Sequence, residues 1–552
     1  MSVAELQARL LHRLAAMPFL DRLELAAVTG ASERAAYYAI AALEDERLVA
    51  ALPYASALIR PTRRFHLTAR GLHRLAVDEG VPTSILLRAH PASAQWRRIL
   101  LQRLDAVAVI YRLAAAVAAE CCSLEGFRWF RATALDAVLV LPGGRTVGVV
   151  RQGATAGRTA FAKRLRRLYQ GRLPGALLVL ASDGSRLQHS RRLLDGLPVP
   201  AFLALECDAA SAAAHGPVWN TPSGEAALSL HTALARARPG GAVPAERQRL
   251  RASMPADLPH GGIVTYAPDH LLPVRLRPAE KRALDLLAAW PWLAPAHLGE
   301  LLGVRPPRLS HLIGRLQALG LTVSVAAGER RRLALSDKGL ALLARRDRVS
   351  VGAARGRWSA AAVDPRAPLS WRNVSGAGSR HLLRNVEHTE AVHGFIAALA
   401  GQARSTGCAV AQLDPPHRAS RFFRHRGRLH SIRPDAFGIL RGGGRPLPFF
   451  LEWERRAVRP VTMAARLAPY LRYFASARPV EDHGAQPAVL VVFEREISAV
   501  HFLRVARRET ARAGVRVPLW VSHTSLLERE GPLGRAWRAP GRWEPACAFP
   551  VG

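Results

Sequence analysis

LHSIRPDAFGILRGGGRPLPFFLEWER, Leu429–Arg455, decides the fold, because FRWFRATALDAVLVLPGGRTVGVVRQG, Phe127–Gly153, repeats its pattern earlier in the same chain. Each stretch has two runs of alternating apolar residues around a Gly-rich turn, which predicts a β-hairpin. A helical pattern follows both, TAFAKRLRRLY at Thr159–Tyr169 and TMAARLAPYLRYF at Thr462–Phe474. A short apolar run predicts a buried strand next, ALLVLA at Ala176–Ala181 and AVLVVF at Ala488–Phe493. Both series close on similar tails, GPVWNTPSG from Gly216 and GPLGRAWRAPG from Gly531. Ahead of each hairpin a long helix is expected, Trp96–Ala119 and Arg380–Ala403.

Further upstream the parallel continues. ELAAVTGASERAAYYAIAALEDERLV at Glu24–Val49 and HLGELLGVRPPRLSHLIGRLQALGLT at His297–Thr322 each read as a helix ending at a glycine, Gly30 or Gly303, followed by a second helix. A basic stretch follows, ALIRPTRRFHLT at Ala57–Thr68 and AGERRRLALS at Ala327–Ser336, then the paired segments LTARGLHRLA at Leu67–Ala76 and LSDKGLALLA at Leu335–Ala344. Helix, turn, helix, basic hairpin and helix is the order of a winged helix. The expected organisation is a winged helix over 1–90, an α/β domain over 91–225, a Pro/Gly-rich linker over 226–277, a second winged helix over 278–350 and a second α/β domain over 370–545. The fold class is α/β of the α+β kind, built by tandem duplication.

Composition points to the partner. The 552 residues carry 78 Lys+Arg against 42 Asp+Glu, a net charge of +36, with hydrophobic residues at 49%. That is a globular chain suited to a polyanion, and double-stranded DNA is the expected partner. The helices over Ser32–Glu46 and Arg305–Ala318 would approach a major groove, with Arg34 on the first and Arg305, Arg308, His311 and Arg315 on the second. Arg63 and Arg64 on one wing and Arg330, Arg331 and Arg332 on the other would meet phosphates. The five cysteines, Cys121, Cys122, Cys207, Cys408 and Cys547, are spaced neither as a metal cage nor as a disulfide framework, and a reducing cytoplasm fits. Charges interrupt every apolar stretch, so no membrane anchor is expected.

The second hairpin carries Asp435 at the start of one strand and Glu452 and Glu454 at the end of the next. Residues two apart on a strand share a face, and an adjacent strand can bring Asp435 beside them. Three carboxylates on one face repel unless protonated or neutralised, and Mg²⁺, a hard cation taking oxygen ligands, is the expected cofactor if there is one. Arg466 on the following helix is the nearest cation in the pattern. Aligning VGVVRQG with FFLEWER sets Asp136, Arg151 and Gly153 of the first copy against Asp435, Glu452 and Glu454, so no metal site is expected there. Glu387 and Glu390, three apart on a helix, are read as ordinary polar positions, with a further ligand as the alternative.

Four motifs in the second half, His388-Thr389-Glu390-Ala391-Val392, Pro434-Asp435-Ala436, Glu452-Trp453-Glu454-Arg455 and Arg466-Leu467-Ala468-Pro469-Tyr470, resemble in order and spacing those of the replication-relaxation family. The resemblance covers roughly Leu276 to Gly541. It implies a winged helix joined to a restriction-endonuclease-like, PD-(D/E)xK-like α/β domain, and DNA binding during replication and relaxation of plasmids or other mobile elements. Glu454 stands where the family has Asp, Arg456-Ala457 where it has Gly-Thr, and Arg466 where it has Lys. The first change keeps a metal ligand. The other two weigh against catalysis: the lysine of such nuclease cores is absent at its expected place, where Glu454 stands, and arginine stays protonated, so Arg466 substitutes poorly as a proton carrier. Three functions follow: a DNA-binding replication-relaxation protein with other replication or mobilisation proteins as partners, a Mg²⁺-dependent nicking endonuclease using Asp435, Glu452, Glu454 and Arg466, or a winged-helix transcriptional regulator.

Overall fold

The computed structural model describes residues 2–121, 123–211, 216–239, 241–243, 251–258, 268–327, 330–442, 445–455 and 459–549. Cys122, Arg456 and Ala457, the expected wing turn at 328–329 and part of the linker lie outside them. The fold is mixed α/β and divides into two compact units, one of residues 1–282 with 341–351 and one of 283–340 with 352–552. No helix among the described residues is long and apolar enough to cross a membrane.

Unit 1 opens with helices Val3–Ala16, Arg22–Thr29 and Glu33–Asp45, an antiparallel hairpin of Val49–Tyr54 with Thr62–Leu67, and helix Ala69–Asp78. The sequence fixes these ends by capping: Asp21 and Glu24 form a reciprocal capping box, Ser32 caps the third helix, and Gly30 takes the left-handed conformation (φ 68°) that ends the second. Unit 2 contains helices Pro295–Leu302 and Pro306–Ala318, with Gly303 also at φ 68°, and the hairpin Thr322–Ala327 with Arg330–Leu335. Both hairpins begin before the basic stretches expected to form them. In each, an aromatic residue at positive φ, Phe19 or Trp292, leads a bridge to the second strand, Leu20 to Phe65 and Leu293 to Leu333. The shared glycine of LTARGL and LSDKGL has a physical reason: a Cβ would lie 2.0 Å from Leu48 O at Gly71 and 2.2 Å from Leu321 O at Gly339.

The α/β part of unit 1 is a sheet in the order Gly126–Trp129, Ala137–Val140, Thr146–Gln152, Ala176–Ala181, Ala201–Leu205, with two antiparallel pairings followed by two parallel ones. Unit 2 repeats that order and those directions over Ala409–Asp414, Ala436–Gly442, Arg445–Glu454, Ala488–Phe493 and Leu519–His523, then adds Trp537–Ala539 and Arg542–Ala546. Alternation sorts the strand residues onto two faces. In unit 1, Leu139, Val149 and Leu178 enter one core while Val138, Val150 and Val179 enter another with Phe161 and Leu165. In unit 2, Phe437, Phe450, Val489 and Val491 pack with Met463, Leu467, Tyr470 and Phe502 from helices Pro460–Phe474 and Glu496–Ala513.

Two expectations need correction. Each expected long helix is two, Ala94–Gln102 with Leu104–Glu120 and Ala377–Arg384 with Val386–Ser405. The breaks fall at Arg103 (φ −111°, ψ 16°) and Asn385 (φ −114°, ψ 43°), whose backbones leave the helical region. The correspondence between the hairpins is also one residue off. Trp453 N donates to Asp435 Oδ2 at 2.8 Å, and the same bond in unit 1 runs from Arg151 N to Asp136 Oδ2 at 2.6 Å. Ala436 pairs with Leu451 as Ala137 pairs with Val149. Glu452 therefore matches Val150, and Glu454 matches Gln152. Because side chains alternate, a slip of one moves a residue to the other face, and Arg151 occupies the position of Trp453.

Candidate carboxylate site and basic surfaces

Asp435 precedes strand Ala436–Gly442, with its own N–H held by Leu451 O at 2.8 Å. One carboxylate oxygen accepts from Trp453 N and the other meets His388 Nε2 at 2.9 Å. The helix break at Asn385 sets His388 in the first turn of helix Val386–Ser405. Glu452 and Glu454 project from one face of the next strand toward helix Pro460–Phe474. There Tyr470 donates its hydroxyl hydrogen to Glu452 (2.6 Å) and Arg466 pairs with Glu454. Two residues along a strand span about 6.6 Å and four along a helix about 6 Å, so Arg466 and Tyr470 at i,i+4 match Glu454 and Glu452 at i,i+2. Trp453 points to the opposite face, its ring 6.3 Å from that of Phe395.

The electrostatics follow from this crowding. Burial, then the charge of Asp435, pushes the Glu452 carboxyl up to about 8, and the Tyr470 hydrogen bond opposes the shift. Burial raises Glu454 against the pull of Arg466. The hydrogen bond to Asp435 raises His388, and burial followed by the Glu452 charge raises Tyr470. A cavity of about 340 Å³ opens beside Glu452 and Glu454, bordered also by Ser431, Arg433, Arg466 and Tyr470. Three carboxylates with one imidazole, Glu452 and Glu454 raised chiefly by burial, match a hard divalent cation by donor type; the two glutamates border a cavity whose lining is otherwise mostly apolar, with Leu467, Val489, Val491 and Phe502. The three carboxylates do not form a set with all ligand atoms within 4.8 Å of one another. Among the described residues such a set occurs at His12, Glu79 and His90 of unit 1.

Glu387 and Glu390 stay out of this cluster: Glu387 pairs with Arg455 at 2.5 Å and Glu390 with Arg332 at 2.6 Å. Sequence reading gave no role to His388 or Tyr470. The i,i+4 spacing of Arg466 and Tyr470, matched to the Glu-x-Glu pair, was the signal for the tyrosine.

In unit 1 the matching ground is filled by protein cations. Asp136 keeps its backbone bond to Arg151 but is gripped by Arg164 (2.7 Å) and Arg348 (2.8 Å), which hold its carboxyl far below the usual range against the cost of burial. Gln152 is buried and accepts from Ser190 Oγ (3.1 Å), and Val150 is apolar core. Arg151, buried, pairs with Glu206 at 3.0 Å and Asp347 at 2.9 Å.

The residues expected to meet DNA divide by exposure. Arg305, Arg308 and His311 are exposed on one helix and Arg315 is half-buried. Arg34 is exposed, 5.8 Å from the Tyr38 ring. Arg63 is exposed and pairs with Glu44 at 2.5 Å; Arg331 is exposed and donates to Ser324. The side chain of Arg330 lies outside the described residues. Arg64 and Arg332 do not reach the surface. Arg64 is wholly buried with Asp21 and Glu24, and Arg332, at the same hairpin position, is buried against Glu390. Neighbouring residues on a strand face opposite ways, so a run of two arginines turns one inward.

Residues 311–489 match the replication-relaxation family. The matched segment runs from within helix Pro306–Ala318 to the start of strand Ala488–Phe493 and contains Asp435, Glu452, Glu454 and Arg466. No curated protein and no solved structure matches the chain.

Proposed function

We propose that this chain is a DNA-binding replication-relaxation protein of a plasmid or mobile element, with a divalent-cation-dependent nicking site in its C-terminal α/β domain. The observation that carries the chemistry is the cluster of Asp435, Glu452 and Glu454, its two glutamates raised by burial, beside an arginine-bordered cavity. The family match supports the replication-relaxation role, and the exposed Arg305, Arg308 and His311 on a helix-turn-helix support duplex DNA as the substrate.

Asp435 and Glu452 would hold the cation, with Glu454 kept at its edge by Arg466. Bound there, a Mg²⁺ would polarise the phosphodiester and acidify a coordinated water. The chain's own groups do the rest. Arg433 and Arg466 border the cavity as fixed positive charge for phosphate oxygens. His388 is oriented by Asp435, and Tyr470 orients Glu452 through its hydroxyl. Arginine does not give up its proton, so Arg466 serves as a clamp rather than a base.

The repeated element order supports descent of the two halves from one duplicated winged-helix and nuclease-like ancestor. In the first half Val150 and Gln152 stand for Glu452 and Glu454, and arginines grip the remaining aspartate. That half then serves as a holding partner, and one strand is cut. Purified protein incubated with supercoiled plasmid and Mg²⁺ or Mn²⁺ is expected to yield open circles, and Asp435→Ala to yield none. Equal product from both proteins would refute the assignment.

A further inference from the structure

Residues 415–434, between strand Ala409–Asp414 and Asp435, contain six arginines, three histidines and no acidic side chain. The matching passage of unit 1 is the short 130–135. In unit 2 the longer passage forms its own antiparallel ribbon, Arg421–His425 with Arg428–Ile432. Its tip, Arg426-Gly427, has φ of 48° and 76°, the two left-handed residues of a tight hairpin turn. The first is a position that asparagine, aspartate or glycine occupies with less strain than arginine.

One face of the ribbon is anchored. Phe423 is buried with its ring 5.2 Å from that of Tyr473, and the Arg421 guanidinium lies 4.4 Å from the Phe437 ring centre. Residues opposite each other across an antiparallel pair share a face. The other face therefore carries Phe422 with Ser431 and Arg424 with Leu429. Phe422 is 52% and Leu429 70% exposed, which is costly for apolar side chains; Arg424 is exposed on the same face, and Arg426 and Arg428 are exposed at the turn. At its base this face meets the carboxylate cavity, which Ser431 and Arg433 border together with Glu452 and Glu454.

We infer that the ribbon is a DNA-gripping arm that lies along duplex DNA and delivers the adjoining phosphate to the carboxylate cavity. Arg424, Arg426 and Arg428 meet phosphates, and Phe422 and Leu429 pack on sugar or base edges. The arm rests on the reading that this chain acts on DNA, and charge chooses the partner: an acid-free ribbon of this density suits a polyanion, and its apolar pair suits groove walls.

The test separates the arm from cleavage by working in EDTA with the full chain and a labelled duplex. The Arg424→Ala/Arg426→Ala/Arg428→Ala protein is expected to bind at least tenfold more weakly at about 150 mM salt, with the slope of log K against log salt smaller by about 2 to 3. Its melting should match the parent, because all three side chains are exposed. A photoreactive benzoylphenylalanine in place of Phe422 is expected to crosslink to the duplex. Unchanged affinity and slope, or no crosslink while the parent binds, would overturn the arm alone. A parent that binds no duplex would overturn the DNA reading with it.

Discussion

Glu452→Gln separates the cost of the carboxylate from its use. With its carboxyl pushed to about 8, Glu452 takes up a proton on folding between its ordinary 4.5 and 8. The folded state then binds more protons than the unfolded one, so stability falls as pH rises through that window. At pH 7 the interval from 4.5 amounts to about 3 kcal/mol, at about 1.4 kcal/mol per unit, as an upper bound. Glutamine resembles the protonated acid and can still accept from Tyr470. In EDTA at pH 7 the variant is expected to be more stable by up to about 3 kcal/mol, and its gain should shrink toward pH 4.5. Scaled at roughly 2–4 °C per kcal/mol for a domain of this size, the unit 2 transition should rise by several degrees. A divalent cation binds the ionised form, so it should raise the melting of the parent and leave the variant nearly unmoved. Calorimetry at pH 5 and 7, with and without Mg²⁺, measures all four states. A metal-free variant less stable than the parent, or equal stabilisation of both by Mg²⁺, would refute the reasoning.

Gly339→Ala puts a Cβ 2.2 Å from Leu321 O, so backbone must shift; a loss of roughly 1–3 kcal/mol is expected in denaturant titrations. Arg64→Ala leaves Asp21 and Glu24 buried with less compensating charge and should cost roughly 3–5 kcal/mol of unit 1 stability. Arg308→Ala, by contrast, should leave melting within about 0.5 kcal/mol while lowering the salt slope of duplex binding by about 1, measured by fluorescence anisotropy.

The strands Ala176–Ala181 and Ala488–Phe493 were legible because burial on both faces leaves an unmistakable apolar run, and the hairpins through their alternation. Register was harder. Asp136 and Arg151 are closer in sequence than Asp435 and Trp453 although both pairs share one hydrogen bond, so the unit 2 hairpin has extra length that residue matching cannot locate. The breaks at Arg103 and Asn385 fall in strong helical patterns and have no Pro or Gly to announce them. Arg64 and Arg332 read as surface charge in a basic run; their acidic partners, buried Glu24 and half-buried Glu390, come from helices distant in sequence. The ribbon at Arg421–Ile432 escaped notice because its charge hid a short alternating pattern, Phe423 and Ile432 inward and Phe422 and Leu429 outward.

The central claim is a single working carboxylate site in unit 2 and a filled counterpart in unit 1, and the products of a plasmid digest test it most directly. In a time course with supercoiled DNA and Mn²⁺, open circles should accumulate without simultaneous linear product, and Asp435→Ala should leave the plasmid supercoiled. Linear DNA appearing together with the first open circles, or nicking by Asp435→Ala at the parent rate, would contradict it.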